Sequence, residues 1–191
     1  MGGVQLYNPR KAAQVIAYLA MKSSRRTLEV IKAVKLVYLS DRESIKTWGA
    51  PILDESRVSM PHGPVNSETY SCINGEYDLS ECGWSDFLEA RADHMVAVAS
   101  DLTVNDLDEL SEADIQALDA TWEKFGQMGP WTLRDWTHVK RNVPEWEDPH
   151  GSSIPIPLRR IMAHVGVPNP DTQAELLEEH EEIDQLFASL R

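Results

Sequence analysis

Apolar residues recur along most of this chain at spacings of three and four, so the pattern predicts a mainly helical fold with a little strand. Asn8-Pro9 reads as a helix start, with Asn as the N-cap and Pro at the first helical position. Val15, Ile16 and Leu19 follow helical spacing, which predicts a first helix over residues 9–22. The polar stretch 22–26 is a loop, and Thr27 is suited to cap a second helix. There Ile31, Val34 and Tyr38 make a stripe that Leu28, Val37 and Ile45 widen into a face broad enough for a central core helix. Trp48-Gly49-Ala50-Pro51 ends it, because Gly suits the left-handed residue after a helix and Pro cannot continue one.

The period is less regular after that. Residues 52–66 read as loop or short strand. His62-Gly63-Pro64 forces a turn, and Asn66 or Ser67 caps a short helix that stops at Asn74-Gly75. Phe87 and Leu88, then Met95, Val96 and Val98, flank Arg91-Ala92-Asp93 and predict a small antiparallel hairpin. Ser111-Glu112-Ala113-Asp114 matches a capping box, with Leu110 and Ile115 as its hydrophobic staple; Ile115, Leu118, Trp122 and Phe125 continue one face. Thr132-Leu133-Arg134-Asp135, with Trp131 and Trp136, repeats the arrangement. Helices are therefore predicted over 112–126 and 133–141.

An irregular loop follows at 144–151. Pro155 and Pro157 then precede a short helix with Leu158, Ile161, Met162 and Val165. From about Pro170 to Leu190, Leu176, Ile183 and Leu190 repeat every seven residues opposite a face of Glu175, Glu178, Glu179, Glu181, Glu182 and Asp184. Such an acidic amphipathic helix either packs on its own domain or binds another chain. The fold class is thus mainly α with a small antiparallel β element (α+β), in two parts: residues 1–168, and the acidic helix 169–191. No repeat of solenoid length is present.

Charge sharpens this picture. The chain carries a net −13 over its 191 residues, but residues 1–48 are net +6 and residues 49–191 net −19. An acidic surface repels polyphosphate and either steers a basic partner or keeps the protein soluble. The basic residues of the first part (Lys22, Arg25, Arg26, Lys32, Lys35, Lys46) fall on different helix faces, and no nucleic-acid-binding signature accompanies them, so nucleic acid is not an expected partner. No apolar run is long enough to cross a membrane, and Met1 to Arg10 lacks a signal-peptide pattern, so a cytoplasmic protein is expected. Cys72 and Cys82 are expected to be ordinary thiols.

Catalytic chemistry finds little footing. There is no phosphate-binding glycine loop and no nucleophile elbow. His180-Glu181-Glu182-Ile183-Asp184 superficially resembles a zinc-protease motif, but Asp184 stands where the second His belongs. The six histidines have no metal-cluster spacing, so no metal or cofactor is expected. A general acid/base set of Asp41, His62 and His138 is conceivable only if the fold gathers them.

One ordered combination is distinctive. It runs Lys35-Leu36-Val37-Tyr38-Leu39-Ser40-Asp41-Arg42-Glu43, then Trp48-Gly49-Ala50-Pro51-Ile52, then His62-Gly63-Pro64-Val65-Asn66-Ser67-Glu68-Thr69-Tyr70. A second block, Trp131 to His138, follows with Trp146 after it. In order and spacing these resemble the Panacea domain of bacterial and phage antitoxins, over about residues 8–165. The resemblance implies a mainly helical domain with a small β element. It also implies a non-enzymatic type II antitoxin that binds and blocks a protein toxin, such as an alarmone-synthetase-like or other translation-blocking enzyme. An alternative known in that family is an adaptor that hands its toxin to a ClpXP-type protease. No separate DNA-binding domain is recognisable in this chain.

Lys35, Tyr38 and Asp41 lie at spacings of three and so share one helix face. Asp41 is placed to pair with Arg42 or Lys35, or to accept from the backbone of Gly63-Pro64-Val65. Tyr38, Asp41, His62 and Gly63 are then expected to form a buried polar clasp. The same clasp, with His138, is alternatively the lining of a groove for a toxin segment.

Overall fold

The computed structural model describes residues 7–79 and 81–189. Its described residues form seven α-helices and five short strands: α1 Pro9–Met21, β1 Thr27–Glu29, α2 Val30–Trp48, β2 Arg57–Met60, β3 Gly63–Asn66, α3 Ser67–Ile73, β4 Met95–Ala97, α4 Glu112–Phe125, α5 Pro130–Thr137, β5 Ile154–Pro155, α6 Leu158–Val165 and α7 Pro170–Ser189. The mainly helical α+β class read from the pattern is the one observed. No helix among the described residues is long and apolar enough to cross a membrane.

Two helices form the centre. In α1, every residue from Ala12 to Ala20 is buried. Its start is the anticipated one, with Asn8 accepting from the Lys11 N–H at 3.0 Å and Pro9 opening the helix. In α2, the run Ala33 to Asp41 is buried without interruption, so this helix is covered on all sides. It touches α1, α3, α4, α5, α6 and β3. Gly49 closes it at φ +77, its N–H on the Ile45 carbonyl. That all-round burial matters for the site, because it takes the polar side chains of α2 out of water with the apolar ones.

The second helix starts later than its Thr27 cap predicts. Residues 27–29 are strand β1, and Glu29 holds the N-cap position without a side-chain hydrogen bond. Leu28 turns inward between a half-buried Thr27 and an exposed Glu29. The strand is captured by β4, in the antiparallel register Thr27 to Ala97 and Glu29 to Met95. This also revises the hairpin expected over 78–101. The chain does turn back on itself, with antiparallel bridges from Ala92 to Met95 and from Leu88 to Val98. The ladder proper, however, joins β4 to β1 rather than to the Phe87-Leu88 run.

Segment 52–66 resolves into a hairpin. Strands β2 and β3 pair antiparallel around Pro61-His62, and β5 adds to the far edge of β2 in the order β3-β2-β5. Helix α3 follows at Ser67 and stops before Asn74. The capping box of α4 is present, with the Asp114 N–H on Ser111 Oγ at 3.1 Å and the Ser111 N–H on Asp114 Oδ2 at 2.9 Å. The box predicted at Thr132 is not. Helix α5 starts at Pro130, the residue whose fixed φ is suited to a first helical position, and ends at Thr137. Helix α6 ends at Gly166 with φ +87.

The acidic helix α7 meets the body near its start. Ala174 is buried and Leu177 partly buried where α7 meets α6. Leu176, Ile183, Leu186 and Phe187 are about half exposed or more. Leu190, the last of the predicted heptad positions, lies outside the described residues, as do residues 1–6. Cys72 and Cys82 are free thiols.

Candidate functional site

Three α2 side chains at spacings of three, Lys35, Tyr38 and Asp41, are each no more than 1% exposed. A buried charge is tolerable only where donors or counter-charges replace water. Asp41 meets that demand in full. Its Oδ1 accepts from the backbone N–H groups of Ile52 (3.0 Å) and Leu53 (3.1 Å). Its Oδ2 accepts from Arg57 Nη2 (2.8 Å) and Nε (3.2 Å) and from Asn66 Nδ2 (2.7 Å). The expected partners of Asp41 are therefore corrected. They are neither Arg42, nor Lys35, nor the 63–65 backbone, but Arg57 and Asn66 on the two strands of the hairpin.

A second carboxylate extends this network. Glu55 accepts from the Thr69 N–H (2.8 Å), Thr69 Oγ1 (2.5 Å) and Asn66 Nδ2 (3.1 Å). Burial pushes its pKa up to about 7 against the opposing hydrogen bonds of Thr69. Arg57 completes the arrangement by donating to the carbonyls of Leu53 (2.6 Å) and Glu55 (2.8 Å). Further along the helix face, Tyr38 donates to Glu145 Oε1 at 2.9 Å, and Arg42 reaches the same oxygen at 2.7 Å. Burial first, and the Glu145 carboxylate after it, hold the Tyr38 phenol well above its usual pKa.

The hairpin turn is held by its carbonyls. Lys35 Nζ donates to the Pro64 oxygen (2.8 Å), and Trp146 Nε1 to that of Met60 (3.2 Å). His138 Nε2 meets the Pro61 oxygen (3.0 Å), with its Nδ1 on the Arg134 carbonyl (2.7 Å). The His138 and Trp146 rings pack edge to face at 4.4 Å. Segments some hundred residues apart thus converge on one tight turn. Gly63 makes this approach possible. At φ +95, a Cβ here would lie 2.7 Å from Thr137 Oγ1 and 3.1 Å from Lys35 Nζ.

His62 does not belong to this clasp. It is exposed and faces the groove instead. The structure therefore does not gather Asp41, His62 and His138 as an acid/base set. The Asp41 oxygens are occupied by five donors, and both His138 nitrogens face carbonyls. Among the described residues no group of three His, Cys, Asp or Glu is placed to hold a metal ion.

Beside the clasp lies a groove of about 620 Å³, open to solvent. Its apolar walls come from Ile31 and Val34 of α2, Met60 and Val65 of the hairpin, Tyr70 of α3 and Trp131 of α5. Lys35, His62 and Gly63 line it as well, so one wall is the hairpin that the clasp holds. Trp131 is 60% exposed, unusual for so large an apolar side chain.

Sequence reasoning missed Glu55, Arg57, Asn66, Thr69 and Glu145, which carry most of the polar bonds. The alternation of β2 put Arg57 and Ser59 on one face, and polar residues on a strand face suggest the solvent side. Both are buried.

Comparison with curated proteins and with solved structures yields no match. A family model does match, described as antitoxin SocA-like, Panacea domain, over residues 34–147. The matched residues span the clasp, from Lys35 on α2 to the Glu147 N–H, which closes on Ser59 Oγ of the hairpin at 3.2 Å. With well over half of its length inside the match, the chain belongs to the SocA-like antitoxin family and carries its Panacea domain.

Proposed function

We propose that this chain is an antitoxin that neutralises a cognate toxin by direct, non-enzymatic binding, and that the groove beside the clasp receives a toxin segment. The observation that carries the reading is the position of Lys35, His62, Gly63 and Val65. These motif residues both build the pinned hairpin and wall an open, mainly apolar groove. A rigid wall suits such a role, because a preorganised surface loses little conformational freedom on binding. Exposed Trp131 supplies the kind of rigid aromatic anchor on which binding energy concentrates.

The test is co-expression with the product of the adjacent gene, scoring growth and co-purification. Toxicity of the neighbour alone, relieved by this chain in a stoichiometric complex, is the expected outcome. Growth restored without a complex, as the neighbour's product disappears only when a ClpXP-type protease is present, would replace occlusion by the adaptor mechanism. A harmless neighbour that does not bind would remove the proposal.

A further inference from the structure

Resting on that reading of the groove, we infer that its occupant is a toxin segment carrying a carboxylate beside a large apolar side chain. The groove combines apolar walls with one guanidinium, that of Arg91, which the described carboxylates leave unpaired. Arg91 is held in place by neutral groups. Its guanidinium donates to Asn74 Oδ1 and, at 3.0 Å, to His94 Nδ1, and all three residues line the groove. Because Arg has no acceptor, His94 Nδ1 must accept, which fixes the orientation of the pair. No carboxylate forms an ion pair with Arg91 among the described residues.

Lys35, buried at the hairpin wall and bonded to the Pro64 carbonyl, adds a hydrogen-bond donor there rather than a fixed charge. Glu29 is the one carboxylate among the groove's described lining residues. In a chain of net charge −13, an exposed guanidinium held only by neutral partners stands out as a point for an acidic group to bind. Arg91 is exposed, and its five N–H donors exceed the two bonds it makes to Asn74 and His94, so donors remain for a carboxylate. The apolar walls, from Ile31 to Trp131, would take the neighbouring side chain of the same segment. The complementarity is therefore to an acidic, apolar-anchored peptide segment, whether an internal Asp or Glu or a C-terminal carboxylate supplies the charge.

The experiment measures binding of the purified adjacent-gene toxin by calorimetry at low and at high salt. Native chain is compared with Arg91→Glu, Arg91→Gln, Trp131→Ala and Ile31→Asp, each checked for an unchanged circular-dichroism spectrum. Arg91→Glu is expected to weaken binding roughly tenfold or more at low salt, and Arg91→Gln by less. The gap between native and charge-reversed chain should shrink at high salt. Binding by Arg91→Glu as tight as native or tighter, while Trp131→Ala or Ile31→Asp weakens it, would overturn the carboxylate inference and leave the groove standing. Native-like binding by both Trp131→Ala and Ile31→Asp would instead remove the groove itself.

Discussion

At the scale of single residues, stability and the site share the same side chains. Gly63 is the clearest case. Its φ of +95 is strained for any residue with a Cβ, and the space a Cβ would fill already holds Thr137, Lys35 and His138. Gly63→Ala should therefore cost roughly 2–4 kcal/mol through backbone strain and displaced neighbours. In a domain of this size that lowers Tm by roughly 5–15 °C, measured by thermal denaturation. An unchanged Tm would mean that the turn relaxes freely and that its pins contribute little. Two buried ionisable groups add a distinctive pH dependence. Burial, and after it the Arg134 cation, lower the Lys35 pKa from 10.5 to about 7. Between those values only the unfolded chain holds that proton, so Lys35 makes the fold more stable as pH rises through the window. Glu55 is raised from 4.5 to about 7, so between those values only the folded chain holds the proton. Its contribution is full below the lower value and is lost as pH rises toward the upper one. Both effects place the least favourable point near neutrality. The stability difference between native chain and Glu55→Gln should change by a few kcal/mol over the acidic window, and that for Lys35→Met over the alkaline one. Denaturant titrations across pH measure both, and flat differences would refute the shifted protonation.

At the scale of elements, what the sequence conveyed depended on whether the signal was local. Asn8-Pro9, the Ser111 to Asp114 box and Gly49 each act within one turn of helix, and all three ends fall where the chemistry puts them. Thr27 failed as a cap because a competing partner, β4, lies some seventy residues away and no local pattern announces it. Thr132 failed because Pro130 had already started the helix. The candidate site divides in the same way. The shared face of Lys35, Tyr38 and Asp41 was readable from spacing, and so was the turn at Gly63. Their partners were not. Glu145 sits alone between Pro144 and Trp146 in an irregular loop, where an acidic residue ordinarily reads as solvated surface. Only the fold brings its Oε1 to both Tyr38 and Arg42. Buried polar networks are assembled by tertiary proximity, and hydrophobic periodicity carries no record of them.

At the scale of the whole molecule, the last two helices lie outside the family match, which ends at residue 147. Helix α6 contributes Ile161 and Met162 to the core and touches α2, so it is part of the folded body. Helix α7 contributes Ala174 and the partly buried Leu177 near its start, after which Ile183, Leu186 and Phe187 are exposed. Stability arises from apolar surface removed from water, and these three side chains remain largely in it. A chain ending after Leu177 should therefore unfold within about 2 °C of the full chain, because exposed positions typically contribute only tenths of a kcal/mol. It should also restore growth against the toxin if the groove alone captures its target. Thermal denaturation and the growth assay together separate the alternatives. A large loss of Tm would show that the distal half of α7 packs on the body in solution. Unchanged Tm with lost protection would assign that exposed apolar stripe, flanked by acidic residues such as Glu178, Glu179 and Glu182, a share of the toxin contact, and would make the groove one of two contact surfaces.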